Sequence, residues 1–158
     1  MNKGFTLLEF IIYIAIVGAV LTVGGAMAVN ILLGKAKLAN IEEVSYSGRF
    51  SMEKISTAVS RAESINSPFP SGSFGPALSL KMSDASKNPT IFDTLGGAVR
   101  MQEGLGPIIE LTSSEVTVSY INFSNISYPN TPGTARIEMR LKSGDFEKTF
   151  YTTANIYE

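Results

Sequence analysis

Glu9 has the least expected setting of any ionisable residue in this chain. It stands directly before Phe10, and from Phe10 to Gly34 no residue carries a charge. A carboxylate at the centre of a membrane helix costs about 2.5–3.5 kcal/mol on insertion scales, and less near the end. Two chemistries accommodate it. In one, Glu9 stays hydrated at an interface and faces the positive end of its own helix. In the other, it is held for a cation brought by another chain. Elsewhere the chemical inventory is thin. The chain has no His and no Cys. Disulfides, Cys/His zinc sites and both Ser–His–Asp and Cys–His catalysis are thereby excluded. Asp84, Asp93 and Glu103 are scattered and lack the spacing of a calcium loop. Gly96-Gly97 and Gly104-Leu105-Gly106-Pro107 read as turns rather than phosphate cradles. Asn122-Phe123-Ser124 and Asn125-Ile126-Ser127 match glycosylation sequons, a pattern frequent by chance. No catalytic constellation, cofactor motif or metal site emerges, and an enzyme is not expected.

The element that carries Glu9 is a helix. The run Phe10 to Gly34 would be roughly 37 Å long as an α-helix. A bilayer core is ~30 Å thick and needs ~20 apolar residues. A soluble core helix rarely stays apolar on every face for that length. Lys35 and Lys37 follow at once and suit a headgroup layer. Every other charged residue except Lys3 and Glu9 lies beyond Gly34, and the whole chain, with 13 basic and 14 acidic residues, nets −1. The basic surplus of a dedicated nucleic-acid binder is missing. One Lys before the run and two after it, read by the positive-inside rule alone, favour a cytoplasmic C-terminal side.

The residues around Glu9 oppose that orientation. Lys3-Gly4-Phe5-Thr6-Leu7-Leu8-Glu9 and the apolar run behind it resemble the prepilin signal of type IV pilins and type II secretion pseudopilins. The resemblance covers about the first thirty residues. It implies a leader over residues 1–4 and cleavage by a prepilin peptidase between Gly4 and Phe5. It further implies N-methylation of Phe5, and an assembly role for Glu9 as the fifth residue of the mature chain. Physics supports the pairing. Cleavage creates an amine at Phe5, and in a stack of offset subunits Glu9 of one chain can meet that amine of the next. A paired buried charge is tolerable where a lone one is not, so the pair sets register more than it stabilises. Two departures stand out. Many members carry a mid-helix proline, and this chain has none before Pro68; some close a C-terminal loop with a disulfide, and this chain has no Cys. Two plainer alternatives are a secretory signal peptide cut at Ala26-Met27-Ala28 and an ordinary signal anchor. The long stretch before Ala26 and the presence of Glu9 argue against the first.

Beyond the membrane segment, residues 5–34, the helix is expected to continue over 35–66 as an amphipathic second half. Leu38, Ile41, Ser45, Gly48, Met52, Ile55, Val59 and Ala62 recur at spacings of three and four and predict its buried stripe. Gly48 weakens a helix and suggests close packing there. Arg49 and Glu53 are spaced to pair. Pro68 and Pro70 predict an end near Ser64 to Ser67. Residues 67–158 read as a β-rich head. Strands are expected at Leu78–Met82, Ala98–Met101, Ile108–Leu111, Val116–Phe123, Ala135–Leu141 and Phe146–Ile156, with a hairpin turn at Lys142 to Asp145. Loops are expected at Pro68–Pro76, Ser83–Pro89 and Tyr128–Gly133. The fold class is α+β: a pilin-like long N-terminal helix packed on a C-terminal antiparallel sheet.

The segments Gly48 to Ile55, Leu111 to Val118 and Thr152 to Asn155 also resemble the larger J-type minor pseudopilins. The resemblances together imply a structural subunit of a type IV pilus, a type II secretion pseudopilus or a DNA-uptake pseudopilus. Its expected partners are prepilin peptidase, other pilin or pseudopilin subunits, membrane lipid and an inner-membrane assembly platform. Its expected place is the bacterial cell membrane, crossed once with the N-terminus cytoplasmic and the head outside, and later a fibre. The competing reading is a membrane-anchored extracytoplasmic ligand-binding domain that forms no fibre.

Overall fold

The computed structural model describes residues 6–129, 131 and 133–157. Among these residues, helix α1 spans Leu7–Ser60, and nine strands follow: β1 (Ala62–Ser67), β2 (Phe74–Gly75), β3 (Leu78–Met82), β4 (Thr90–Leu95), β5 (Ala98–Glu103), β6 (Ile108–Glu110), β7 (Thr117–Asn125), β8 (Thr134–Ser143) and β9 (Phe146–Asn155). The fold class is α+β. The chain divides into two compact units, one ending at Ala39 and one beginning at Asn40.

In the first unit, every described residue is exposed, including Phe10, Ile14, Val17, Leu21 and Leu32. This stretch of α1 is long and apolar enough to cross a membrane, and none of its most apolar window is buried by the chain itself. Thr22 Oγ1 donates to Gly18 O (2.8 Å), so this hydroxyl is satisfied within its own helix.

In the second unit, α1 buries Val44, Ser47, Gly48, Ser51, Met52, Ile55 and Val59. That face overlaps the predicted stripe from Gly48 onward but departs from it before. Leu38 is 59% exposed, and Val44 and Ser47 are buried where Ile41 and Ser45 were expected. The reason is polar. Ser51 Oγ donates to Leu111 O (3.3 Å), and Ser47 Oγ accepts from Ser113 N (3.4 Å). Small hydroxyls let the backbone after β6 approach the helix, a contact that hydrophobic periodicity does not encode. Arg49 and Glu53 are both exposed and do not pair with each other.

The helix stops at Ser60, short of the expected Ser64 to Ser67. Residues 62–67 instead form β1, antiparallel to β3 with Ile65 opposite Leu80. Ala62 and Ile65 are buried there. Ser64 and Ser67 favour helix only weakly, so cross-strand pairing and burial decide the segment. Two strands besides β1 lie outside the expected set. The first, β2, is a two-residue pairing with β7 inside the Pro68–Pro76 loop. The other, β4, joins β5 through Gly96-Gly97, both at positive φ (64° and 83°). A two-residue Gly-Gly loop with that geometry suits the strand twist of a hairpin.

The single expected sheet is two antiparallel sheets. One has the order β1-β3-β4-β5-β6 and the other β2-β7-β8-β9. Val118 N donates to Gly97 O (2.8 Å) and ties the second to the first. Their inner faces share one core, in which Ile55, Leu78, Leu80, Phe92, Val99, Phe123, Ile137, Met139 and Leu141 are fully buried. The apolar alternation of β7 changes phase along its length. Val116 and Val118 pack inward at even positions, and Ile121 and Phe123 at odd ones. A register shift between Val118 and Tyr120 absorbs the change, as a bulge does by adding one residue to one strand.

Gly48 fulfils the close-packing expectation. A Cβ added there would overlap the ring of Phe150 on β9. In an open helix Gly→Ala gains about 1 kcal/mol. Here Gly48→Ala is expected to lose about 1–3 kcal/mol, the cost of overpacking. Thermal melting of the full chain in detergent checks this, and a raised Tm would contradict the contact.

Candidate functional site

Gly4 and Phe5, the expected cleavage and methylation positions, lie outside the described residues. Glu9 is described. Thr6 precedes the helix, and its carbonyl accepts from Phe10 N (3.2 Å), the first bond of the helical ladder. Its Oγ1 accepts from Glu9 N (3.3 Å). Thr6 is therefore the N-cap and Glu9 the third helical residue. Thr-x-x-Glu is the spacing of a capping box, in which a Glu at this place also turns back toward the cap. That spacing was legible in Thr6-Leu7-Leu8-Glu9, and the structure realises the Thr6 half of it, through the backbone N–H of Glu9. The Glu9 side chain is exposed, in the first turn, where the macrodipole favours an anion. The site thus presents an accessible carboxylate at the head of an unburied apolar helix.

The acidic residues of the head do not converge. Asp93 makes a two-bond ion pair with Arg100, Oδ1 to Nε 2.9 Å and Oδ2 to Nη2 2.7 Å. That hydrogen bond from Arg100 to Asp93 raises the guanidinium further above its already high range. Asp84 caps the short 3-10 turn Ala85–Lys87, accepting from Ser86 N (2.9 Å) and Ser86 Oγ (2.7 Å). These bonds hold its carboxyl below the usual range, chiefly through the Ser86 hydroxyl. Glu103 lies 3.6 Å from Lys87. Among the described residues, no group of three His, Cys, Asp or Glu is placed to hold a metal ion. The Gly104-Leu105-Gly106-Pro107 segment turns on itself, with Gly106 N donating to Glu103 O (2.9 Å).

The two sequon asparagines are held in place by the fold. Asn125 is buried, and its Nδ2 donates to Pro68 O (3.0 Å). Its Oδ1 accepts from Ser127 N (3.1 Å) and Ser127 Oγ (2.6 Å). Ser127 Oγ in turn accepts from Thr134 N (2.9 Å), and Ser71 Oγ donates to Ser127 O. This network fastens the proline loop to β7 and β8, so Asn125 serves structure. Asn122 is half-buried on β7 and donates to Ser124 Oγ (3.2 Å).

No family model, no curated protein and no solved structure matches this chain.

Proposed function

We propose that this chain is a structural subunit, a minor pilin or pseudopilin, of a type IV pilus, a type II secretion pseudopilus or a DNA-uptake pseudopilus. The observation that carries the reading is Gly4-Phe5-Thr6-Leu7-Leu8-Glu9 set directly ahead of an apolar helix that is left uncovered among the described residues. Such a surface is not stable in water, where each Å² of apolar area costs about 25 cal/mol. Lipid covers it first, and the helices of other subunits cover it in the fibre. Cleavage after Gly4 by prepilin peptidase, methylation at Phe5 and docking on an inner-membrane assembly platform complete the route. The head stays outside the cell membrane and the chain has no catalytic task.

Intact mass and N-terminal sequencing test the reading. The protein is recovered from membranes of cells that carry a prepilin peptidase. The expected chain begins at a methylated Phe5. An uncut Met1 would indicate a plain anchor, and a start at Val29 a secreted domain; either overturns the proposal.

A further inference from the structure

A cleft of about 550 Å³ opens in the second unit, where the end of α1, β3, the Ala85–Lys87 turn and β5 meet. Its volume falls in the range of small-ligand sites. Met82 and Met101 give it an apolar floor, and Lys54, Arg61 and Lys87 supply cations. Its carboxylates are Asp84 and Glu103; Glu103 pairs with Lys87, and Asp84 keeps its charge, so Lys54 and Arg61 leave the cleft one positive charge in excess. Asp84 is turned into its own cap by Ser86, and Glu103 faces Lys87. Lys54 rests over the Phe50 ring at 5.4 Å, which leaves its charge available to an anion. Among the described residues, Arg61 has no ion-pair partner and no side-chain hydrogen bond. The partial negative charge at the end of α1 offsets the cations only in part. Two backbone bonds already occupy that end, Arg61 N to Ala58 O (3.2 Å) and Tyr157 N to Ser60 O (3.3 Å).

We infer that this cleft binds a carboxylate carried on an apolar stem, with the Arg61 guanidinium as its principal partner and Lys54 as a second cation. A guanidinium presents parallel N–H donors that match the two oxygens of a carboxylate. The methionine floor takes the stem, because the unbranched thioether adapts to irregular apolar shapes. The inference rests on the head alone and is independent of the fibre reading. A free dicarboxylate and the acidic side chain of a bound peptide both offer this chemistry.

The full chain in detergent micelles, labelled with ¹³C at its methionine methyls, provides the test. Glutarate and acetyl-Glu-Leu-amide are titrated separately to about 20 mM, a range that captures weak binding. The Met82 and Met101 methyl signals are expected to move with either probe, while Met27 and Met139 stay still. A response to glutarate alone assigns the site to a small acid, and a tighter response to the dipeptide assigns it to a protein segment. Arg61→Gln is expected to weaken binding about tenfold with an unchanged melting temperature, whereas Arg136→Gln on β8 leaves it unaltered. No movement with either probe, or equal affinity in Arg61→Gln, overturns the site.

Discussion

On the proposed function, Glu9→Gln is expected to insert into the membrane and to be cut after Gly4 like the parent, yet to fail to enter fibres. Thr6 Oγ1 accepts from the backbone N–H of residue 9, which the substitution leaves in place, so the start of α1 is preserved. Only the charge is lost. In the proposed stack, that leaves the amine of a neighbouring Phe5 buried without a partner. Breaking a buried pair this way costs about 3–5 kcal/mol, on the order of a hundredfold or more in subunit association. The measurement is the fraction of protein in sheared or detergent-resistant filaments relative to the membrane pool. Glu9→Ala, which removes the charge and every side-chain oxygen at this position, is expected to lower assembly at least as far. Should Glu9→Gln assemble like the parent, the carboxylate serves its own helix alone, and the register role assigned to it falls.

The second large effect lies in the head. Phe123 is fully buried on β7, opposite Gly75 of β2 and Ile137 of β8. Phe123→Ala removes an aromatic ring where the two sheets and α1 share a core, at an expected cost of about 3–5 kcal/mol. A domain of this size has about 5–15 kcal/mol in all, so the melting temperature should fall on the order of 10 °C or more. Tyr120→Ala is the internal comparison. Tyr120 lies on the same strand but is 43% exposed, with Arg140 over its ring at 6.0 Å. Its loss should cost well under half as much. Equal losses would mean that the register shift after Val118 does not divide the strand as described.

Local pattern determined a good deal of this protein. The partition of charge beyond Gly34 marks the apolar helix. Strict alternation marks β3 and β8, and the two-residue loop at Gly144-Asp145 marks the β8–β9 hairpin. These features are written in neighbouring residues, where propensity and period act. Glu9 stood out for the same reason, since one charge beside a long apolar run is visible without a structure. The cap that Thr6 supplies to the backbone N–H of Glu9 was equally local.

Tertiary structure decided the rest. Residues 62–67 abandon the helix because β3 offers them a ladder and a core, with partners twelve to twenty residues away that no helical period reports. The buried face of α1 rotates toward Ser47 and Ser51 because the backbone at Leu111 and Ser113 comes to meet it. Asn125 looks like a surface sequon in the sequence and is an interior fastener, because Pro68 supplies its acceptor across 57 residues. The cleft at Arg61 gathers its cations from α1, from the residue just beyond it and from the Ala85–Lys87 turn. Long-range hydrogen bonds and shared burial set each of these outcomes, and the spacing of residues along the chain carries neither.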